Sequence, residues 1–219
     1  VFASLTEEAS APETSSSPVR RLAEDFGLLA RDAQLRRFIL VRALLTSTAL
    51  APPFMVALGT QTDTARSMFG GLGLLVVASA SAGLLSSYVW GRLADRSSRK
   101  VLILTGLSGA LALFGTLGLN AAGLLAANAG LPVMIFILMI AYQGVRLGRS
   151  THLVDMATAE TRAAYTALSN TIIGTVLILG GGFSLVASFA GLTAVIAILG
   201  VMSAVAALFA LGLDEVQSG

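Results

Sequence analysis

The sequence predicts an all-α membrane protein, a bundle of six transmembrane helices, and three observations carry that prediction. Of 219 residues, 55% are hydrophobic and only 12% charged, with a mean hydropathy of +0.84. Soluble domains carry roughly 25% charged residues, so this chain has too few polar groups to cover a water-facing surface. Six apolar stretches, roughly 38–58, 69–90, 101–121, 131–153, 163–188 and 192–212, approach or exceed the ~20 helical residues that cross a ~30 Å hydrocarbon core. The basic residues also alternate between the loops. Arg20, Arg21, Arg31, Arg36 and Arg37, then Arg92, Arg96, Arg99 and Lys100, then Arg146, Arg149 and Arg162 fall on one side, while the other loops (59–68, 122–130, 189–191) hold only Arg66. By the positive-inside rule the first set is cytoplasmic, as are both ends of the segment.

The elements follow in order. Val1-Phe2 is expected to be the residual end of a preceding helix. Residues 3–37 form a cytoplasmic linker: 3–17 are Ser-, Thr- and Glu-rich with almost nothing to bury. Ser17-Pro18 then gives a helix start. Val19, Leu22, Phe26 and Leu29 recur at helical spacing among charged residues, so the stretch through Arg37 reads as an amphipathic surface helix. The six-helix bundle occupies 38–213, and 214–219 form a cytoplasmic tail. Pro52-Pro53 should kink the first span. The third span is expected to extend into the small-residue stretch Ala121–Ala127. The runs are long and continuous, without the alternation of a transmembrane barrel. Gly144 with Gly148, Ala194 with Ala197 and Gly200, and Gly180 to Gly182 mark close helix approach within the spans.

Composition also narrows the chemistry. Without cysteine there is no disulfide or thiolate site. The single histidine, His152, cannot build a histidine metal cluster and is expected near a membrane interface. No cofactor, metal or nucleic-acid partner is expected, and no phosphate-binding Gly-x4-Gly-Lys-Ser/Thr loop occurs. A membrane-embedded protease would need a Gly-x-Ser-Gly nucleophile and a histidine partner within the spans. We expect no such pair, because His152 lies near a helix end.

The loop between the second and third spans reads Gly91-Arg92-Leu93-Ala94-Asp95-Arg96-Ser97-Ser98-Arg99-Lys100. Gly91 would let the backbone turn. Asp95 would pair with an arginine or cap a helix N-terminus, and Arg96, Arg99 and Lys100 would hold the loop at the cytoplasmic face. This stretch resembles the Gly-x-Leu-Ala-Asp-Arg-x-Gly-Arg-Lys loop signature of the major facilitator superfamily, differing at Ser98. The polar linker, Arg36-Arg37-Phe38 opening a span, and Tyr142-Gln143-Gly144 through Arg149 and Arg162 are similar to that family's second half.

The resemblance implies helices seven to twelve of a twelve-helix secondary transporter in the plasma (inner) membrane, with Asp95 as part of a conformational latch. It implies a partner: the other six-helix half, or a second copy. The first and fourth spans would line the cavity for a small solute, and Arg42, Thr46, Ser47, Tyr142, Gln143 and Arg146 are its candidate residues. Ionisable groups inside spans are functional suspects. Against that reading, Arg42, Arg146 and Arg149 could snorkel to the interface or pair with Asp95 and Asp155. Ser169-Asn170-Thr171 could bond across helices. No Asp or Glu falls mid-span. Transport by alternating access is the expected function, an enzyme is not expected, and a non-transporting sensor or scaffold on the same fold is the alternative.

Overall fold

A computed structural model describes residue 27 and residues 29–61, 69–125 and 130–215. The expectations for Val1-Phe2, the 3–17 linker, Ser17-Pro18, the amphipathic stretch from Val19 to Phe26, the loop residue Arg66, and the tail 216–219 lie outside these residues. Within them run seven long helices and no strand: α1 (Ala33–Leu45), α2 (Ser47–Gly59), α3 (Phe69–Ala94), α4 (Ser98–Ala121), α5 (Gly130–Met156), α6 (Arg162–Gly180) and α7 (Phe183–Ala210). Among the described residues five helical units are long and apolar enough to cross a membrane, namely α1 with α2 as one unit, α4, α5, α6 and α7. The remaining expected stretch, 69–90, lies in α3, one unbroken helix of 26 residues.

The first span begins earlier than its hydropathy suggests. Asp32 has extended backbone, and its Oδ1 accepts from the N–H groups of Gln34 and Leu35 at 2.9 and 3.0 Å. A carboxylate that satisfies two of the orphan donors of a first turn stops one helix and starts the next. Residues 33–37, expected to close the linker's surface helix, are thus continuous with the helix of the first apolar stretch, and the break falls at Asp32. Arg36 reaches back across the break to the carbonyls of Leu29 and Ala30. The interruption in this span also falls elsewhere than expected. Pro52 and Pro53 sit inside α2, while the ladder breaks at Thr46. There the backbone N–H turns to Ala43 O in a tighter bond, and the hydroxyl donates to that same carbonyl at 2.6 Å.

The loop motif is shorter in space than in sequence. Gly91 lies within α3 and makes no turn; a Cβ there would meet nothing within 4 Å. The chain turns through Asp95, Arg96 and Ser97. Ser97 is the N-cap of α4, its Oγ accepting from the Lys100 N–H at 3.1 Å. At the other end of α4 the helix stops at Ala121 and does not extend toward Ala127. Gly123 adopts φ +70°, Leu124 N–H donates to Leu119 O, and Gly123 N–H to Asn120 O. That pair of bonds satisfies the last carbonyls and requires the left-handed residue that glycine supplies.

Thr158 and Thr161 exchange backbone-to-hydroxyl bonds and turn α5 into α6. Gly181 and Gly182, expected within the fifth span, separate α6 from α7 but keep helical angles. The direction changes at Gly191, φ +84° and ψ 166°, inside the expected loop 189–191.

Close packing runs through small residues. α4 sits centrally between α5 and α7; α3 lies on α5, α1 and α2 lie on α7, and α6 leans chiefly on α1. At Gly106 an added Cβ would stand 2.9 Å from the backbone of Ala207 and Ser203, and Ser203 Oγ donates to Gly106 O at 3.1 Å. Gly144 and Gly148 admit Trp90 and Thr105, and Val101 and Leu102. Two large apolar clusters fill the interior, one around Leu35, Phe38, Leu102 and Leu153, the other around Met55, Leu113, Leu138 and Leu199, and a smaller third gathers Trp90, Ala94 and Val101. Large apolar side chains also face outward: Phe189 is 89% exposed, Ile178 81% and Leu84 78%. Outward display on that scale suits a lipid surround.

The charges divide the bundle by depth. Every charged residue among the described ones lies at, or in the half nearest, the end that carries Asp32, Ser98, Met156 and Leu213. Contacts across that end bring its pieces together, including Asp32 with Tyr165 and Ser97 with Glu215.

Candidate functional site

Glycine and serine recur along α3 as Gly83, Ser86, Ser87 and Gly91, and polar residues along α5 as Gln143, Arg146 and Ser150. At three to four residues apart, each set shares one face of its helix. The two faces meet in a groove of about 510 Å³. Gln143 and Arg149 are half-buried in it, Arg146 is exposed, and Arg146 donates to Gln143 Oε1 at 3.3 Å. Ser86 is only 2% exposed, and its Oγ has no hydrogen-bond partner among the described residues. Trp90 closes the floor, its indole N–H donating to Ile140 O at 2.9 Å. None of the residues lining the groove is acidic.

One turn further along the same seam the lining changes to apolar. Pro52, Val56, Val76, Ile135 and Met139 surround a cavity of about 760 Å³. Met139 and Gln143 are four residues apart on α5 and Ala80 and Gly83 three apart on α3, so polar groove and apolar cavity follow one another along the α3–α5 seam.

The six candidate cavity residues are not gathered in one place. Gln143 and Arg146 line the groove, and Tyr142 beside them is half-buried. Arg42 is 8% exposed on α1 and donates to Ser169 Oγ at 2.5 Å and to Asn170 Oδ1 at 2.7 Å on α6. It is therefore turned inward and, among the described residues, pairs with no aspartate; it makes the cross-helix bonds for which Ser169 and Asn170 were candidates. Thr171 donates within its own helix. Arg149 is near enough for its charge to act on Arg42. Thr46 is bonded locally. Ser47 is fully buried, its Oγ without a partner among the described residues.

The loop residues separate in the same way. Asp95, Arg96 and Lys100 are exposed. Asp95 caps nothing, the cap being Ser97, and has no arginine partner among the described residues. Arg99 instead holds the chain end, donating to Leu213 O at 3.2 Å, while Ser97 Oγ donates to Glu215 Oε2 at 2.7 Å and Arg37 to Gly212 O. The start of the expected tail is thus fastened across the bundle.

His152, expected at an interface, is 1% exposed. It stacks on Phe38 with centroids 5.3 Å apart and shares a 3.0 Å hydrogen bond between Nδ1 and Ser98 Oγ. Beside it Tyr165 OH donates to Asp32 Oδ2 at 2.7 Å. Burial alone would raise the Asp32 carboxyl. The bond from Tyr165, the N–H groups of Leu35 and Gln34 and the charge of Arg36 outweigh it and hold the group below its ordinary 3.8. The chain does contain a Gly-x-Ser-Gly tetrad, Gly106-Leu107-Ser108-Gly109. Ser108 is back-bonded to Leu104 O and Thr105 O, and it lies ten residues, ~15 Å of helix, from the Ser98 that holds His152. No serine–histidine pair forms at that tetrad. Among the described residues no group of three or more histidines and carboxylates is placed to hold a metal ion.

Sequence reading missed Ser86, Ser150 and Trp90. The signal that could have found them is the recurrence of polar and small residues at helical spacing on α3 and α5. No family model, curated protein or solved structure matches this chain.

Proposed function

We propose that this chain is half of a secondary transporter that moves a small solute across a membrane by alternating access, with the α3–α5 seam as its share of the solute path. The carrying observation is the groove itself: Gln143, Arg146 and Arg149 within a helix of spanning length, beside the buried hydroxyl of Ser86 and followed along the α3–α5 seam by an apolar cavity. Cations inside a span are costly and are kept where they serve a path or a partner. The resemblance of residues 91–100 to the major facilitator loop supports the same reading, as does the collection of basic residues at one end, which this proposal places in the cytoplasm.

In this scheme Asp95 stays exposed because its arginine or helix-end partner belongs to the other half of the transporter. The loop then works as a latch, made in one arrangement and broken in the other. The groove and the outward faces of α3 and α6 are covered by that other half, or by a second copy.

The test is solute flux through the complete protein in proteoliposomes. Asp95→Asn is expected to slow exchange about tenfold, the effect of ~1.4 kcal/mol on a two-state equilibrium, with unchanged thermal stability in detergent. Flux equal to wild type would remove the latch. Failure of the wild-type protein to exchange between two arrangements, read by spin-label distances across the bundle, would favour a sensor or scaffold instead.

A further inference from the structure

The groove is lopsided in charge. Arg146 and Arg149 lie one turn apart on α5 and both line it, Arg149 half-buried, and the nearby Arg42 is spent on Ser169 and Asn170. No carboxylate lines the groove. Gln143 offers an amide already leaning on Arg146, and Ser86 offers a buried hydroxyl with no partner among the described residues. Ser150 opens on the same volume but back-bonds to its own helix. A half-buried guanidinium such as Arg149, with no carboxylate beside it in the groove, favours an anion that offsets its partial desolvation. Guanidinium pairs with neighbouring hydroxyls suit planar or tetrahedral oxyanions, which accept several charge-assisted bonds at once.

We infer that the groove between α3 and α5 binds an oxyanion, a phosphate or carboxylate group, held by Arg146 and Arg149 with Ser86 and Gln143 as neutral donors. This rests on the proposed reading only for the meaning of the ligand. A soluble oxyanion is the transported solute's recognised group; the same group on a lipid head makes the groove a lipid site. The volume of about 510 Å³ admits a small multiply charged solute or a lipid head group. Trp90 also lines the groove, so the part of the emission that is lost in Trp90→Phe reports on occupancy.

The experiment titrates the full-length protein in neutral detergent with inorganic phosphate and with citrate, each against sodium chloride of equal ionic strength. A second arm uses mixed micelles carrying phosphatidylglycerol, against phosphatidylcholine. Trp90 emission and thermal unfolding are followed in both. Saturation by a soluble oxyanion, or by phosphatidylglycerol alone, is expected, and which arm saturates names the source. Arg146→Gln with Arg149→Gln should weaken half-saturation about tenfold or more. Arg146→Lys with Arg149→Lys, which keeps charge but not the fork, should weaken it less, and Ser86→Ala less still. The inference is overturned if neither arm saturates. It is equally overturned if the glutamine variant, shown folded by its helical circular dichroism, binds as wild type does. The alternating-access reading stands or falls separately, on the spin-label distances.

Discussion

The Arg42 guanidinium on α1 donates to the Asn170 side-chain oxygen on α6 at 2.7 Å, and a second donation to Ser169 completes the tie. α6 leans on α1 and more lightly on α5, and this tie holds it together with the Tyr165 bond to Asp32 and the packing of Tyr165 and Leu168. Removing one partner of a charged hydrogen bond costs about 1.5–3 kcal/mol. Asn170→Ala is expected to lower the thermal unfolding midpoint in detergent and to loosen α6. Paired cysteines placed on α1 and α6, read against the protein without them, give a cross-linking yield. That yield should fall in the variant. An unchanged yield and midpoint would mean that other contacts hold α6.

Two glycines, Gly91 and Gly144, make opposite predictions. A Cβ on Gly144 would come within 2.7 Å of Trp90 Cε2 and still closer to Thr105 Cγ2, where α3, α4 and α5 meet. Gly144→Ala is expected to destabilise by about 1–3 kcal/mol through forced separation of the helices. A Cβ on Gly91 meets nothing within 4 Å inside a regular helix. Gly91→Ala should therefore be neutral or stabilising, by up to ~1 kcal/mol of helix propensity. Thermal unfolding of both variants side by side separates packing from the turn role that the motif suggested for Gly91.

Much of this architecture is legible from hydropathy because a spanning helix must satisfy its backbone internally and clothe itself in apolar groups. The expected stretches 101–121 and 131–153 and the turn at Gly191 appear within a few residues of their expected places, whereas the expected 163–188 is divided, α6 ending at Gly180 and α7 beginning at Phe183. Helix ends were less legible where a side chain sets them: the Asp32 cap shifts the first span toward the N-terminus, and the Gly123 turn stops α4 short of Ala127. The site was half legible. Gln143 and Arg146 stand out because polar groups in lipid demand a reason, yet Arg42 looks the same in sequence and proves to be a structural tie. Which arginine faces a groove and which faces a helix depends on rotation and partner choice. Those are set by packing against small residues such as Gly106 and Gly144, and no local pattern records them.

Asp32 gives the chain a pH dependence of known sign. Its carboxyl is held below 3.8 by Tyr165, two backbone N–H groups and Arg36. A carboxylate with a depressed folded-state pKa contributes stability that is present above the unfolded value and lost as pH falls through the folded one. The unfolding midpoint is expected to be flat near neutrality and to drop once the pH goes below about 3.8. Tyr165→Phe removes the 2.7 Å donor, costs about 1 kcal/mol at neutral pH, and moves the acid limb of the profile upward. A profile of the same shape in Tyr165→Phe would show that the hydroxyl does not hold the carboxylate.

Ser97 and Asp95 are two residues apart in the same loop and should respond to substitution in opposite ways. Ser97 Oγ accepts from the Lys100 N–H and donates to Glu215, so one oxygen caps α4 and fastens the chain end. Ser97→Ala is expected to cost about 1 kcal/mol from the lost cap alone. It should speed amide exchange in the first turn of α4 and loosen residues 213–215, which Arg99 also holds through Leu213 O. Asp95 is exposed and outside the cap, so Asp95→Asn should leave stability within about 0.5 kcal/mol and leave the exchange pattern unaltered. If hydrogen exchange instead shows Asp95→Asn loosening α4 as much as Ser97→Ala does, Asp95 has a structural role in this chain, and any loss of flux in that variant no longer speaks for a latch.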